Sequence, residues 1–430
     1  MARVVVIGAG AMGLTAAWQA VQLGHSVDLI EADAVPGGMA AHFDFSGLSI
    51  ERFYHFVCKT DAPTFELMEE LGLGAAMRWR DTSMAYRIGG ALHKWGEPFA
   101  LLRFPHLTLI EKFRTGLQMF LATRAKDFND IEPLTSRQWI ERGSGKGVYN
   151  KLWKRLQELK FYEYADHVSA SWIATRVRRI GRSRRSLFQE QLGYIEGGSQ
   201  TLVDALVRDF TALGGRLHLS TPAEQVLSAD GKVTGVRAGG RDFDADAVIC
   251  TVPTPLVSAL VPDLPADDKA KYDAIENIGV VCLLFKLKRP VTPHFWVNIV
   301  EPDIEIPGII EFSNLRPLPD TVVYVPYYMP VTQPKWALSN EALLAEAFGY
   351  IKKINPAITD DDLIDARAGR LRHAQPVCEP NFAAKIPPVR TAIAGLQIAD
   401  TCYYYPEDRG IAESVRLGRS MARDIAPGAA

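Results

Sequence analysis

The first thirty-one residues constrain this chain more than any other stretch. After Met-Ala they read RVVVIGAGAMGLTAAWQAVQLGHSVDLIE: an apolar run, a glycine-rich turn, a helical stretch and a second apolar run closed by a carboxylate. That order predicts a dinucleotide-binding βαβ unit. Arg3 to Ile7 supply a buried parallel strand, Gly8 the tight turn, Gly10 a point where backbone approaches a pyrophosphate, and Gly13 the close contact of helix on sheet. The helix N-terminus then offers free N–H groups and a favourable dipole to the phosphates. Glu31 ends the second strand, where a carboxylate accepts hydrogen bonds from a ribose diol. An acid there selects a free 2′-OH, so FAD or NAD is expected and NADP is not.

Bulk properties narrow the class. With 430 residues, 47% of them hydrophobic, the chain can bury two substantial cores, which suggests two domains. A net charge of −2 gives no global attraction to nucleic acid. Cys58, Cys250, Cys282, Cys378 and Cys402 form no C-x-x-C pair and no metal-ligand cluster, and their odd number argues against a disulfide framework. The first buried strand begins at Arg3, which leaves no signal peptide, and no apolar run is long enough to span a bilayer. A cytoplasmic location is expected, with peripheral contact at the inner face of a membrane as an open alternative and the oligomeric state unspecified.

Four further blocks carry a resemblance. Gly37-Gly38 follow Glu31 where flavoproteins of the glutathione-reductase type have a second glycine pair; YIEGGSQTLVDAL runs from Tyr194 to Leu206; ADAVICTVPTPLVSAL runs from Ala245 to Leu260; and GLQIADTCYYYPEDRGIAESVRLGRSMARDI closes the chain. In this order they resemble the FAD-dependent amine oxidase superfamily, which includes protoporphyrinogen oxidases, phytoene desaturases and, more distantly, UDP-galactopyranose mutases. The sequence departs from that pattern at Met39, where a basic residue often follows the glycine pair, and at Ala399, which replaces a glycine.

The resemblance implies an α/β fold, with a Rossmann-type FAD domain interleaved with an α+β substrate domain. The expected FAD domain comprises residues 1–85, 190–265 and 385–430, and the substrate domain residues 86–189 and 266–384. Short strands around Arg216–Ser220, Gln225–Ser228, Lys232–Ala238 and Arg241–Phe243 fit a β-meander. The implied cofactor is FAD. Its expected contacts are Gly8, Gly10, Gly13, Glu31, Gly37, Gly38 and Arg52, with backbone at Val226 near adenine, Thr251 at the end of the returning strand, and the glycine pair before Ser199 beside the flavin. Asp400 is expected on the ribityl or pyrophosphate oxygens. The helix entered through Gly410 and Ile411 should face the flavin N1 edge, where negative charge develops on reduction.

Candidates for chemistry are fewer. His55, in ERFYHF, is a flavin hydrogen-bond partner or acid/base group, or a loop filler. Arg52 is a cofactor or substrate contact, or a plain ion-pair partner. Tyr403 to Tyr405 follow Asp400 directly, and Tyr404 is taken as the wall of a substrate channel. Lys160 reads first as a surface lysine and second, by resemblance to a lysine of the amine oxidases, as a group near flavin N5. The run RVRRIGRSRR from Arg176 to Arg185 is a solvated basic face, a site for an anionic substrate, or a patch for an anionic membrane. Phe99 to Lys126, apolar with interspersed bases, reads first as a core helix and second as a membrane-facing surface. The implied activity is hydride transfer from a small, anionic or lipophilic organic substrate (amine, porphyrinogen or isoprenoid-like) to flavin N5. Non-oxidative turnover of an anionic sugar nucleotide and flavin binding without turnover stand as alternatives.

Overall fold

A computed structural model of the chain describes residues 1–425. Val4 to Ile7 are buried because β1 (Arg3–Ile7) lies at the centre of a five-stranded parallel sheet. On one side stand β2 (Ser26–Ile30) and then the strand Arg216–His218; on the other stand Ala247–Cys250 and then Leu396–Ile398. Parallel neighbours need crossovers rather than hairpins, and α1 (Ala11–Gln22) and the helix Ser199–Ala212 supply two of them. One expectation changes here. Arg216–His218 pairs with β2 in the parallel sheet, because the helix before it returns the chain in the same direction; the meander holds only Ala223–Ala229, Lys232–Ala238 and Arg241–Asp244.

The helix Ile411–Arg423 packs on α1 at close range. A Cβ at Gly418 would sit 2.5 Å from the Met12 carbonyl oxygen, so only glycine fits this crossing. Both helices therefore bring their N-termini, Gly10 and Gly410, to one cavity.

A second, seven-stranded sheet runs in the order Leu363–Pro376, Asn277–Leu287, Thr321–Met329, Gly308–Glu311, Trp296–Ile299, Met84–Ile88, Ala91–Trp95. Only the pair Trp296–Ile299 and Met84–Ile88 is parallel. Asn277–Leu287 is apolar almost throughout because both its faces are covered. Val280, Cys282 and Leu284 pack toward Phe161, Trp172 and Tyr324, while Val281, Leu283 and Phe285 pack beneath the helix Asn340–Ile354. Glu51 joins the two sheet systems. It is buried, accepts the Ser199 N–H at 3.1 Å, and meets His42 at 3.5 Å and Arg316 at 3.3 Å.

All five cysteines are buried and unpaired. Among the described residues no group of His, Cys, Asp and Glu could hold a metal ion, and no helix is long and apolar enough to cross a membrane.

Candidate active site

A cavity of about 1210 Å³ lies where the two sheets meet. It exceeds the roughly 300–1,000 Å³ of an ordinary small-ligand pocket. Its lining divides by chemistry into a glycine-rich end and a cationic, aromatic end.

At the first end, Gly8 has φ +96° and its missing Cβ would collide with Thr251 Oγ1 at 2.7 Å. Thr251 donates to the Ile7 carbonyl at 2.8 Å, so it clamps the turn from the neighbouring strand while lining the cavity. A Cβ at Gly13 would lie 1.8 Å from the Gly8 carbonyl oxygen, whereas one at Gly10 would meet nothing within 4 Å. Gly10 thus faces open space beside the helix start. No side chain caps that helix, and its first N–H groups keep their capacity for an anion. Gly37 forms a parallel bridge with Gly10, and Gly38 approaches the Gly10 Cα, which brings the second glycine pair onto the first.

Glu31 lines the cavity, and its carboxylate accepts the N–H of Ala9 at 2.6 Å and of Asp33 at 2.8 Å. Each oxygen keeps a second lone pair, enough for a ribose diol. The basic group missing at Met39 comes from elsewhere: Arg52 lines the cavity and pairs with Asp33 at 2.5 Å. Val226 departs from expectation. It is fully buried in the core of the meander, and Pro222, Ala223 and Glu224 just before it line the cavity instead. The glycine pair Gly197-Gly198 departs too: neither residue lines the cavity, Gly197 standing against Thr201 and Gly198 against His42, Arg316 and Glu51.

The C-terminal segment closes the far side. Asp400 lines the cavity, and each of its oxygens accepts one backbone N–H, Thr254 at 2.7 Å and Cys402 at 2.8 Å, which leaves each a second lone pair. It pins two strand-end loops together, which the sequence reading had missed. Gly410, Ile411 and Ser414 line the cavity at a second helix start without a side-chain cap. Of the three tyrosines only Tyr404 lines it, and its hydroxyl is held by Ser414 Oγ at 2.8 Å, leaving the ring as a wall. Tyr405 instead donates to Glu132 at 2.6 Å and contacts Ser169 at 2.7 Å.

The second end is cationic. Lys160, read first as a surface residue, opens into this cavity with its Nζ 4.4 Å from the Tyr328 ring centre and 5.2 Å from that of Trp172. Burial, and then the guanidiniums of Arg176 and Arg409, push its pKa well below that of an ordinary lysine. Arg176 pairs with Asp408 at 3.1 Å and stacks on Trp172 at 4.7 Å. Arg409 donates to the Ala374 carbonyl and to Tyr328 Oη, while its buried Nε has no partner. Burial alone would raise the Asp408 pKa; Arg176, Arg409 and Lys160 reverse that and hold it below the usual carboxylate range. His55 lines the same cavity, and its Nδ1 is buried without a partner. Burial lowers its pKa against the opposing pull of Glu51, which favours the neutral imidazole.

The arginine run is divided: Arg182 and Arg185 are exposed, while Arg176, Arg178, Arg179 and Arg184 are partly buried. Helical spacing sends Arg176 and Arg179 toward the cavity, where Arg179 forms a bidentate pair with Asp61 at 3.1 and 2.7 Å. Arg178 and Arg182 turn the other way and donate to carbonyls at the C-terminus of the helix Leu109–Arg124. Arg184 donates to the Gly96 carbonyl, and Arg185 pairs with Asp81. Asp408 and Arg409 went unnoticed in the sequence; their only signal was a run of three charges, Glu407-Asp408-Arg409, after Pro406 in the strand-to-helix connection.

An open Gly10, two uncapped helix starts, a ribose-ready carboxylate and orphaned polar atoms on His55, Asp408 and Arg409 fit a long cofactor with a diphosphate and a ring that gains negative charge. Fold and site together define an FAD-binding protein with a second, seven-stranded sheet beside its parallel one. The chain belongs to the flavin-containing amine oxidoreductase family, whose profile matches residues 13–371, and FAD is its cofactor. It is 24% identical over 282 residues to the 15-cis-phytoene desaturase of Arabidopsis thaliana, covering 61% of this chain and 49% of the relative. The chain spans about half the length of the curated relatives it matches. Its fold is similar to that of a provisionally assigned protoporphyrinogen oxidase from Exiguobacterium sp. 255-15 (18% identity, TM-score 0.77, 98% of each chain). Reduced UDP-galactopyranose mutase is similar as well (15% identity, TM-score 0.72, 98% of this chain and 95% of that one). At these identities the likeness to solved structures is one of fold.

Proposed function

We propose that this chain is an oxidoreductase that removes a hydride from a small organic substrate of the amine, porphyrinogen or isoprenoid kind, and that the substrate carries a carboxylate or phosphate. The observation that supports the anionic group is the charge imbalance at the aromatic end of the cavity: two guanidiniums, Arg176 and Arg409, stand against a single carboxylate, Asp408, with the Lys160 amine beside them. FAD, when bound, supplies the hydride acceptor. The two guanidiniums hold the anion, and Tyr54, Trp172 and Tyr328 flank the apolar body and exclude water. The Lys160 amine, disfavoured as a cation, accepts the proton that the neighbouring N–H of an amine or porphyrinogen, or the adjacent C–H of an isoprenoid-like substrate, releases as the hydride leaves and the double bond forms. A second reading, turnover of an anionic sugar nucleotide without net redox, is favoured by the same cations.

Titrating the FAD-loaded protein with benzoate, phenyl phosphate and benzylamine, followed by flavin absorbance, tests the charge. The anions are expected to bind, and Arg176→Met to weaken them about tenfold or more, as loss of a charge-assisted hydrogen bond of roughly 1.5–3 kcal/mol predicts. Benzylamine binding more tightly than benzoate would sink the proposal. Anaerobic reduction followed by air separates the activities: rapid reoxidation indicates an oxidase, slow reoxidation a desaturase, dehydrogenase or mutase, and a flavin that cannot be reduced removes them all.

A further inference from the structure

The helix Leu109–Arg124 is inside out. Its buried positions are Thr115, Gln118 and Ala122, while Leu109, Ile110 and Phe113 are 78%, 72% and 71% exposed and Leu117, Phe120 and Leu121 are exposed beside them. An ordinary surface helix turns its apolar stripe toward the core. This one is held rigidly in the opposite sense. A capping box of Thr108 and Glu111 fixes its N-terminus, and Arg178 and Arg182 from the cavity-lining helix bind the carbonyls at its C-terminus.

Two neighbours extend the surface. The helix Pro98–Arg103 exposes Phe99 and Leu102, and the turn before the strand Gln189–Ile195 exposes Leu187 and Phe188, with the Phe99 and Phe188 rings stacked at 5.1 Å. Lys112 donates to the Leu102 carbonyl at 2.7 Å, joining the two helices. Ten of the seventeen large apolar side chains exposed among the described residues fall in this one patch, so it is a built surface rather than a scatter.

We infer that this face docks in the plane of an anionic lipid bilayer. Charge selects the occupant. Between Phe99 and Lys126 stand Arg103, Lys112, Arg114, Arg124 and Lys126, and the one acid, Glu111, is paired with Lys151 at 2.9 Å. A second copy of the chain meeting this face symmetrically would set five bases against five. Anionic headgroups complement them, while Leu, Ile and Phe side chains enter the acyl boundary. Among the described residues no helix is long and apolar enough to cross a membrane, and the contact proposed lies in the interface plane. The lipid-facing helix packs directly on the helix that carries Arg176 and Arg179, which puts the membrane behind one wall of the substrate cavity.

Sedimentation of the FAD-loaded protein with vesicles tests this. Binding is expected to vesicles of 3:1 phosphatidylcholine and phosphatidylglycerol, to fall with added salt, and to be weaker on phosphatidylcholine alone. The exposed double change Ile110→Ser and Phe113→Ser should lower the partition coefficient at least about tenfold, because both remove apolar surface that the acyl boundary would bury, with flavin content and melting temperature unchanged. Arg103→Gln with Lys126→Gln should abolish the preference for anionic vesicles while leaving the weaker binding. Failure of the unaltered protein to sediment with anionic vesicles overturns the inference, and so does sedimentation that the double change leaves intact. A dimer that the same double change dissociates would assign the face to a second copy instead.

Discussion

Gly10 and Gly13 look equivalent in a glycine fingerprint, yet the structure separates what each does. At Gly10, φ is −70°, an angle alanine adopts freely, and the added methyl meets no protein atom within 4 Å. Exchanging glycine for alanine at a helix N-cap costs about 1 kcal/mol or less. Gly10→Ala should therefore leave the flavin-free fold nearly unchanged while its methyl occupies the path of the phosphates. FAD at one hundred times its Kd stabilises a protein by about 2.7 kcal/mol, and Gly10→Ala should abolish that gain. Gly13→Ala is the opposite case. Its Cβ would lie 1.8 Å from the Gly8 carbonyl oxygen and 3.0 Å from the carbonyl carbon, backbone atoms that no rotamer change can move aside. It should destabilise the flavin-free protein itself by roughly 1–3 kcal/mol or more. Urea unfolding followed by tryptophan fluorescence, with and without FAD, reads both numbers. The reasoning fails if Gly10→Ala keeps the FAD-dependent gain, or if it weakens the flavin-free fold as much as Gly13→Ala does.

Asp400→Ala should lower both stability and FAD retention, because it orphans the buried N–H groups of Thr254 and Cys402 at about 1–3 kcal/mol each; an unfolding midpoint and flavin content equal to those of the unaltered protein would show that the clasp is idle. Glu311, away from the cavity, is pushed by burial from 4.5 up to about 7, against the pull of the Thr292 and Val291 N–H groups it accepts. A carboxyl raised in the folded state contributes stability below its unfolded pKa that is lost as pH rises through the folded value. Stability should therefore decline between pH 4.5 and about 7, and Glu311→Gln should flatten that slope in urea titrations at each pH; a slope unchanged in the variant would exonerate Glu311.

What the sequence determined by itself is the dinucleotide end, because its contacts are short in sequence and backbone-made. Gly8 bonds to Ile30 and Glu31 reaches Ala9 within one βαβ unit, and Gly37, a few residues past it, bridges Gly10, so glycine spacing leaves little choice of geometry. The stripe of apolar residues from Leu109 to Leu121 was equally legible, but periodicity fixes only that a helix has two faces. Which face meets the protein was decided by the helix Ala170–Arg182, whose Arg178 and Arg182 grip the neighbouring helix by its end. Spacing likewise sorted the arginines onto two sides of one helix without saying what each side would meet. The cationic end of the cavity is wholly tertiary: Lys160, Arg176, Asp408 and Arg409 come from distant stretches, and the lowered Lys160 pKa arises from their mutual burial. No local pattern encodes that environment, since a desolvation cost and a Coulomb repulsion exist only once folding has removed the water between the charges.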